Sequence, residues 1–214
     1  MARPSSIEAI LERQGRLSEV RRRLADEGGP AREQPPEGPW VSVSRQLGTG
    51  GLATARRVAE RLGWHVYDRE IVLGIARHTH SREAVLSHHD EHAIGKFDEY
   101  VRQLLVPGDL ARNTFLRELV HVAWGLARNG NAVLVGRGVN WFLDARFGLR
   151  VRLVAPVGAR VARWPAARPG ADPAAVRADV LRHDAEQTAF IRQSFARDID
   201  DPLGYDLVIN VAAL

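Results

Sequence analysis

The chain has 214 residues, 45% of them hydrophobic and 26% charged, which is enough for one main domain with a sizeable core and a small appendage. No apolar run approaches the roughly 20 residues needed to span a bilayer, the opening Met1–Ser6 leads into a mixed polar segment, and cysteine is absent, so a membrane span, disulfides and thiolate catalysis are excluded and a cytoplasmic protein is expected. The net charge of +4 comes from 30 basic residues interspersed with 26 acidic ones, which favours a solvated surface with local anion sites over a nucleic-acid binder.

Ile7, Ile10, Leu11, Leu17, Val20 and Leu24 recur at helical spacing, so residues 1–26 are predicted to form an amphipathic helix, available for self-association or a partner. Residues 27–39 are a Pro/Gly-rich linker, and the main domain is expected over 40–214. It opens with a short β-rich run at 40–44, a glycine-rich turn at 45–51 and a helical pattern at 52–62. A second strand is predicted at 65–68, then helices at 69–78, 81–105 and 110–129, and buried strands at 131–136, 150–155 and 206–211. Residues 159–182 are expected to hold a helix, a mobile segment around 165–173 and a second helix. Short apolar strands separated by helices imply a five-stranded parallel α/β sheet covered on both faces.

Three glycines in the four positions of Gly48-Thr49-Gly50-Gly51 let backbone N–H groups converge, and the following helix adds its positive end, so the loop is a candidate phosphate nest. Glycine-rich turns also serve tight packing alone. The usual phosphate loop carries a lysine where Gly51 stands, and Lys96 is the sole lysine of the chain. Phosphoryl transfer would therefore need another cation, and Arg45 at the start of the loop is the candidate. Thr49 and Thr54 are the hydroxyls near the place that normally holds magnesium.

Asp68 follows a strand at the edge where parallel sheets place ligands, and is read either as an acceptor ligand or as the N-cap of the helix from Arg69. Arg137, between Gly136 and Gly138, emerges at the same edge and is favoured as a phosphate ligand over a structural arginine. Arg160 and Arg163, three apart, would share a helix face, for which the residues alone allow a solvated surface. His78, His80, His88, His89 and His92 crowd together, and an exposed polar helix is preferred there over a zinc site. The five tryptophans are assigned to packing rather than base stacking.

Ser44-Arg45-Gln46-Leu47-Gly48-Thr49-Gly50-Gly51, Ala59–Gly63 and Tyr67–Glu70 resemble the opening of the cytidylate kinase-like family. Val135–Asn140, Val151–Pro156 and Asp200–Asn210 match further blocks in order, over about residues 40–211. The resemblance implies a three-layer P-loop kinase fold with a helical acceptor-binding insertion and a short lid, and an ATP- and Mg2+-dependent transfer to CMP or dCMP. By it, residues 48–51 hold ATP phosphates, Arg45, Arg160 and Arg163 act in catalysis, and Asp68, Arg137, Arg182 and Asp184 face the acceptor. The family's Gly-Arg-Asp turn becomes Gly136-Arg137-Gly138 here, and Gln187 stands where relatives tend to show arginine. Arg182, Asp184 and Glu186 are expected to precede a helix containing Arg192. The contrasting reading is a catalytically silent nucleotide-binding module.

Overall fold

In a computed structural model of the chain, residues 39–77, 85–86, 91–105, 114–136, 138–163 and 170–213 are described. The expected N-terminal helix, nearly all of the linker, most of the histidine-rich segment, Arg137 and the segment 164–169 lie outside the described residues.

The strands are β1 (Trp40–Arg45), β2 (His65–Tyr67), β3 (Ala132–Val135), β4 (Gly148–Val154) and β5 (Leu207–Asn210). The helices are α1 (Gly51–Leu62), α2 (Arg69–Arg77), α3 (Glu91–Leu104), α4 (Thr114–Asn129), α5 (Val157–Arg163) and α6 (Pro173–Phe195). All strand pairs are parallel, in the order β2-β3-β1-β4-β5. This is the five-stranded parallel α/β sheet that the sequence pattern implies.

Side-chain alternation along the strands divides the core in two. Val43, Val133 and Val135 face α1, where Ala55 and Ala59 allow the helix to lie close. Trp40, Tyr67, Ala132 and Leu134 face the other way, onto α2, α3, α4 and the end of α6. Phe97 of α3 stacks on Trp124 of α4 at 4.5 Å between ring centres, and His121 Nε2 lies 2.9 Å from Asp98 Oδ1, so α3 and α4 are joined by both apolar and polar contacts. Among the described residues no helix is long and apolar enough to cross a membrane.

Two expectations are corrected, one by sheet order and one by local capping. Among the described residues the last strand is an edge strand paired only with β4, and Leu207 and Val208 are exposed rather than buried. The second helix starts within 159–182 as expected but continues unbroken to Phe195, so Arg182, Asp184 and Glu186 lie inside the helix that contains Arg192 rather than before it: Asp172 accepts from the N–H groups of Ala174 and Ala175 and Pro173 occupies the first turn, both strong helix-start signals.

The edge strand is pinned by Asp206. Its carboxylate accepts from the Arg150 backbone N–H at 2.8 Å and from the guanidinium at 2.6 Å, fixing the register of β5 on β4. Those hydrogen bonds hold the Asp206 carboxyl below the usual aspartate range, against the opposing effect of burial. A depressed folded-state value means that the stabilisation is complete above the unfolded value of about 4 and is lost as pH falls through the folded one. Urea denaturation of wild type and Asp206→Asn should therefore differ by up to about 1 kcal/mol near neutrality, the difference shrinking below about pH 4.

Candidate active site

The turn after β1 folds into a cup at the sheet's carboxyl edge. Gly50 is the N-cap of α1 in the left-handed region, with no side-chain cap and no acidic residue in the first turn. The first N–H groups of a helix have no partner within it, so this end presents donors and a positive dipole to an anion. Gln46, Leu47, Gly48, Gly50, Gly51, Leu52 and Ala53 line a cavity of about 240 Å³ over this end.

Thr49 is placed differently from the phosphate-facing position expected of it. It is buried, its hydroxyl donates to the Gln46 carbonyl at 2.7 Å and its N–H to the same oxygen at 3.3 Å, and it does not line the cavity. A tight turn needs its own polar groups satisfied, and Thr49 does this. Thr54 donates to the Gly50 carbonyl from the exposed side of α1. The loop thus fits phosphate through its backbone and turns neither hydroxyl to the cavity for magnesium.

Arg45 occupies the centre. A Cβ at Gly51 would lie 2.6 Å from Arg45 Cγ, and one at Gly136 would collide with Arg45 Nη1, so the side chain is threaded between two backbone segments that only glycine leaves open. The position that carries lysine in the usual phosphate loop is filled by the stem of Arg45, and the guanidinium arrives from the strand instead of the helix. Burial lowers its pKa, the Arg69 charge lowers it further and Asp68 opposes this; a guanidinium nevertheless stays charged.

A second cavity, of about 200 Å³, lies on the other side of Arg45. Ser44, Arg69, Gly136, Gly138, Asn140, Trp141, Phe190 and Tyr205 are in its wall, while Arg45, His183 and Gln187 line both cavities. Asp68 Oδ1 accepts from the Glu70 N–H at 3.1 Å, so it caps α2, and its charge acts on Arg45 as well. Trp141 meets the Tyr205 ring edge-on at 5.8 Å and faces this cavity, unlike the purely packing role expected for tryptophan here. Behind them Arg152, buried, donates to Ser44 Oγ at 2.9 Å and to Asp200 at 2.7 Å.

Arg160 and Arg163 do not share a working face. Arg160 is 2% exposed and makes a two-pronged pair with Asp184 at 3.0 and 2.7 Å, while its Nε and Nη1 donate to the carbonyls of Ala155 and Leu47. Arg163 is exposed and donates to the Val211 carbonyl at 2.6 Å. Arg182 pairs with Asp179 on the outer side of α6 and lines neither cavity. Arg160 and Asp184 therefore meet each other beneath the loop. Arg69, His183 and Trp141 are the cavity residues that motif reasoning passed over. Arg69 stands directly after Asp68, and His183 and Gln187 are one helical turn apart beside Asp184.

Two cavities that share Arg45, His183 and Gln187 thus lie at the open end of α1, on a parallel α/β sheet. The chain belongs to the cytidylate kinase-like family, whose model matches residues 40–213. It is 28% identical over 173 residues to a cytidylate kinase of Halobacterium salinarum, covering 80% of each chain. A solved structure of an uncharacterized protein from Eubacterium ventriosum is similar in fold, with a TM-score of 0.63 and 18% identity over 81% of this chain and 92% of that one. Family membership supports a kinase-type phosphotransferase.

Arg160→Ala removes the buried partner of Asp184 and the donor to two carbonyls, and should lower the unfolding free energy by about 3 kcal/mol. Chemical denaturation measures this; a loss within 0.5 kcal/mol, about the level of an ordinary surface change, would show that Arg160 does not brace the loop.

Proposed function

We propose that the chain is a nucleoside-monophosphate kinase that moves the γ-phosphoryl group of ATP to CMP or dCMP. The observation that carries this reading is that the phosphate-loop cavity and the second cavity meet along Arg45, His183 and Gln187. Two phosphates seated in them would face one another across a fixed guanidinium.

In this reading the backbone of Gly48, Gly50 and Gly51 and the end of α1 cradle the donor phosphates. Arg45 neutralises charge at the transferring group, and Arg69 and Arg137 hold the acceptor phosphate. Asp68 keeps Arg69 at the start of α2. Arg160 with Asp184 positions the loop, and Arg163 and Arg182 stand further out. The acceptor phosphate oxygen attacks the γ-phosphorus, the bond to the β–γ bridging oxygen breaks, and ADP leaves. Catalysis rests on positioning and charge compensation. Magnesium, when bound, neutralises the phosphate oxygens and would be carried on those oxygens and water.

A coupled assay of ATP consumption with CMP, dCMP, UMP, AMP and GMP tests this directly. Turnover is expected with CMP or dCMP, falling about 10²–10³-fold in Arg45→Ala. Binding of ATP without turnover on any acceptor would select the silent nucleotide-binding module instead. Normal turnover in Arg137→Ala would remove Arg137 from the acceptor side.

Gly51→Ala supplies an independent check, because its new Cβ displaces the stem of Arg45 without removing any charge. A displacement of about 1 Å should cost on the order of 10²-fold in kcat. Unchanged kcat would mean that Arg45 need not be held in place.

A further inference from the structure

His183 lies on α6 one turn before Gln187, and both line the phosphate-loop cavity and its neighbour. With Arg45, they are the described residues that border both cavities. The His183 Nδ1 is buried without a hydrogen-bond partner among the described residues. Leaving a buried polar atom unpaired costs about 1–3 kcal/mol, and such atoms are rare in folded proteins. The Nδ1 itself has almost no open surface, so it is the rest of the residue that borders the two cavities.

The charged groups facing it are Arg45 from β1, Arg69 from α2, and Asp184 and Glu186 from α6 itself. Asp184 is already engaged by Arg160 from α5. Burial, then Arg45, hold the imidazole below its ordinary value; Asp184 and Glu186 oppose this and Arg69 adds to it. In the free protein near neutrality the ring is uncharged. Phosphates arriving at the loop reverse the balance, since they bring more negative charge than Arg45 brings positive, together with acceptor oxygens.

We propose that His183 is a further phosphate ligand: when ATP seats on the loop, the imidazole takes one proton from solvent and donates an N–H to a phosphoryl oxygen at the junction of the cavities. This rests on the nucleotide-kinase reading above. One N–H bond forms on the imidazole with a proton drawn from solvent, no other covalent bond changes, and the balance is one proton bound per nucleotide bound. Because the complex holds a proton that the free protein lacks, binding tightens as pH falls toward the free-protein value and weakens as pH rises through that of the complex, by up to about tenfold per pH unit.

Calorimetric titration of the full chain with MgATP at pH 7, in two buffers of different ionisation enthalpy, counts the protons. Uptake approaching one proton is expected for wild type beyond that of His183→Gln, the ligand's own titration cancelling in the difference. The variant should also lose most of the pH dependence of the ATP Kd. Equal proton counts and equal pH slopes in the two proteins overturn the proposal while leaving the kinase reading intact, and failure of ATP to bind wild type overturns both. NMR of the wild-type histidine rings guards against a misfolded variant: the His183 nitrogens should move from neutral to imidazolium shifts on saturation with ATP, and a ring that stays neutral overturns the proposal.

Discussion

The site depends on one half-buried cation threaded through the backbone. Arg45 leaves the end of β1, passes against Gly51 at the start of α1 and reaches Gly136 at the end of β3, so three elements meet on one side chain. A lysine at position 51 would need the space that the stem of Arg45 already fills. The guanidinium is planar and branches from a strand, which fixes its direction more firmly than a flexible ammonium on a helix would be fixed. The cost is electrostatic: the charge is partly desolvated and stands near Arg69, with Asp68 as partial compensation. A phosphate relieves that repulsion, so the free site is poised for an anion.

A cation held this closely has value only if the loop around it is equally fixed. Gln46 supplies part of that frame, since its N–H donates to the Leu153 carbonyl, its side-chain oxygen accepts from the Ala155 N–H, and its carbonyl takes both donors of Thr49. Arg160 supplies the rest by linking Leu47, Ala155 and Asp184. The pairing also matters for charge. Asp184 is 24% exposed close to the loop, and Arg160 balances its negative charge there. The same pair anchors α6 and so sets where His183 and Gln187 meet the cavities.

How much of this was legible in the sequence follows from how local each signal is. The strand, glycine turn and helix at 40–62 read clearly because alternation, turn residues and helical spacing act over a few residues. Which strand lies at the edge is set by sheet order, a long-range property, and β5 was accordingly expected to be buried. Thr49 carries a hydroxyl at a plausible phosphate position, yet the turn consumes it. Arg160 and Arg163 have helical spacing, but α5 is short and wedged between the loop and α6, so one turn's residues meet different surroundings. His183 has no glycine or strand beside it to mark it. Besides its neighbours Asp184 and Glu186, the charges that act on it are Arg45 and Arg69, from β1 and α2, more than a hundred residues earlier.

The far wall of the second cavity is set by the same logic of distant segments. Asn140 donates to the Gly204 carbonyl at 3.3 Å, Tyr205 donates to the Ile199 carbonyl at 2.8 Å, and Arg152 lies against the Tyr205 ring while binding Ser44 and Asp200. Trp141 and Tyr205 are thereby held at fixed angles by a segment that continues directly into Asp206 and the edge strand. The bonds that register β5 on β4 therefore also hold the aromatic wall in place. Cavity shape and edge-strand stability are mechanically coupled: whatever loosens the Arg150–Asp206 clasp also frees the wall against which a second ligand would rest.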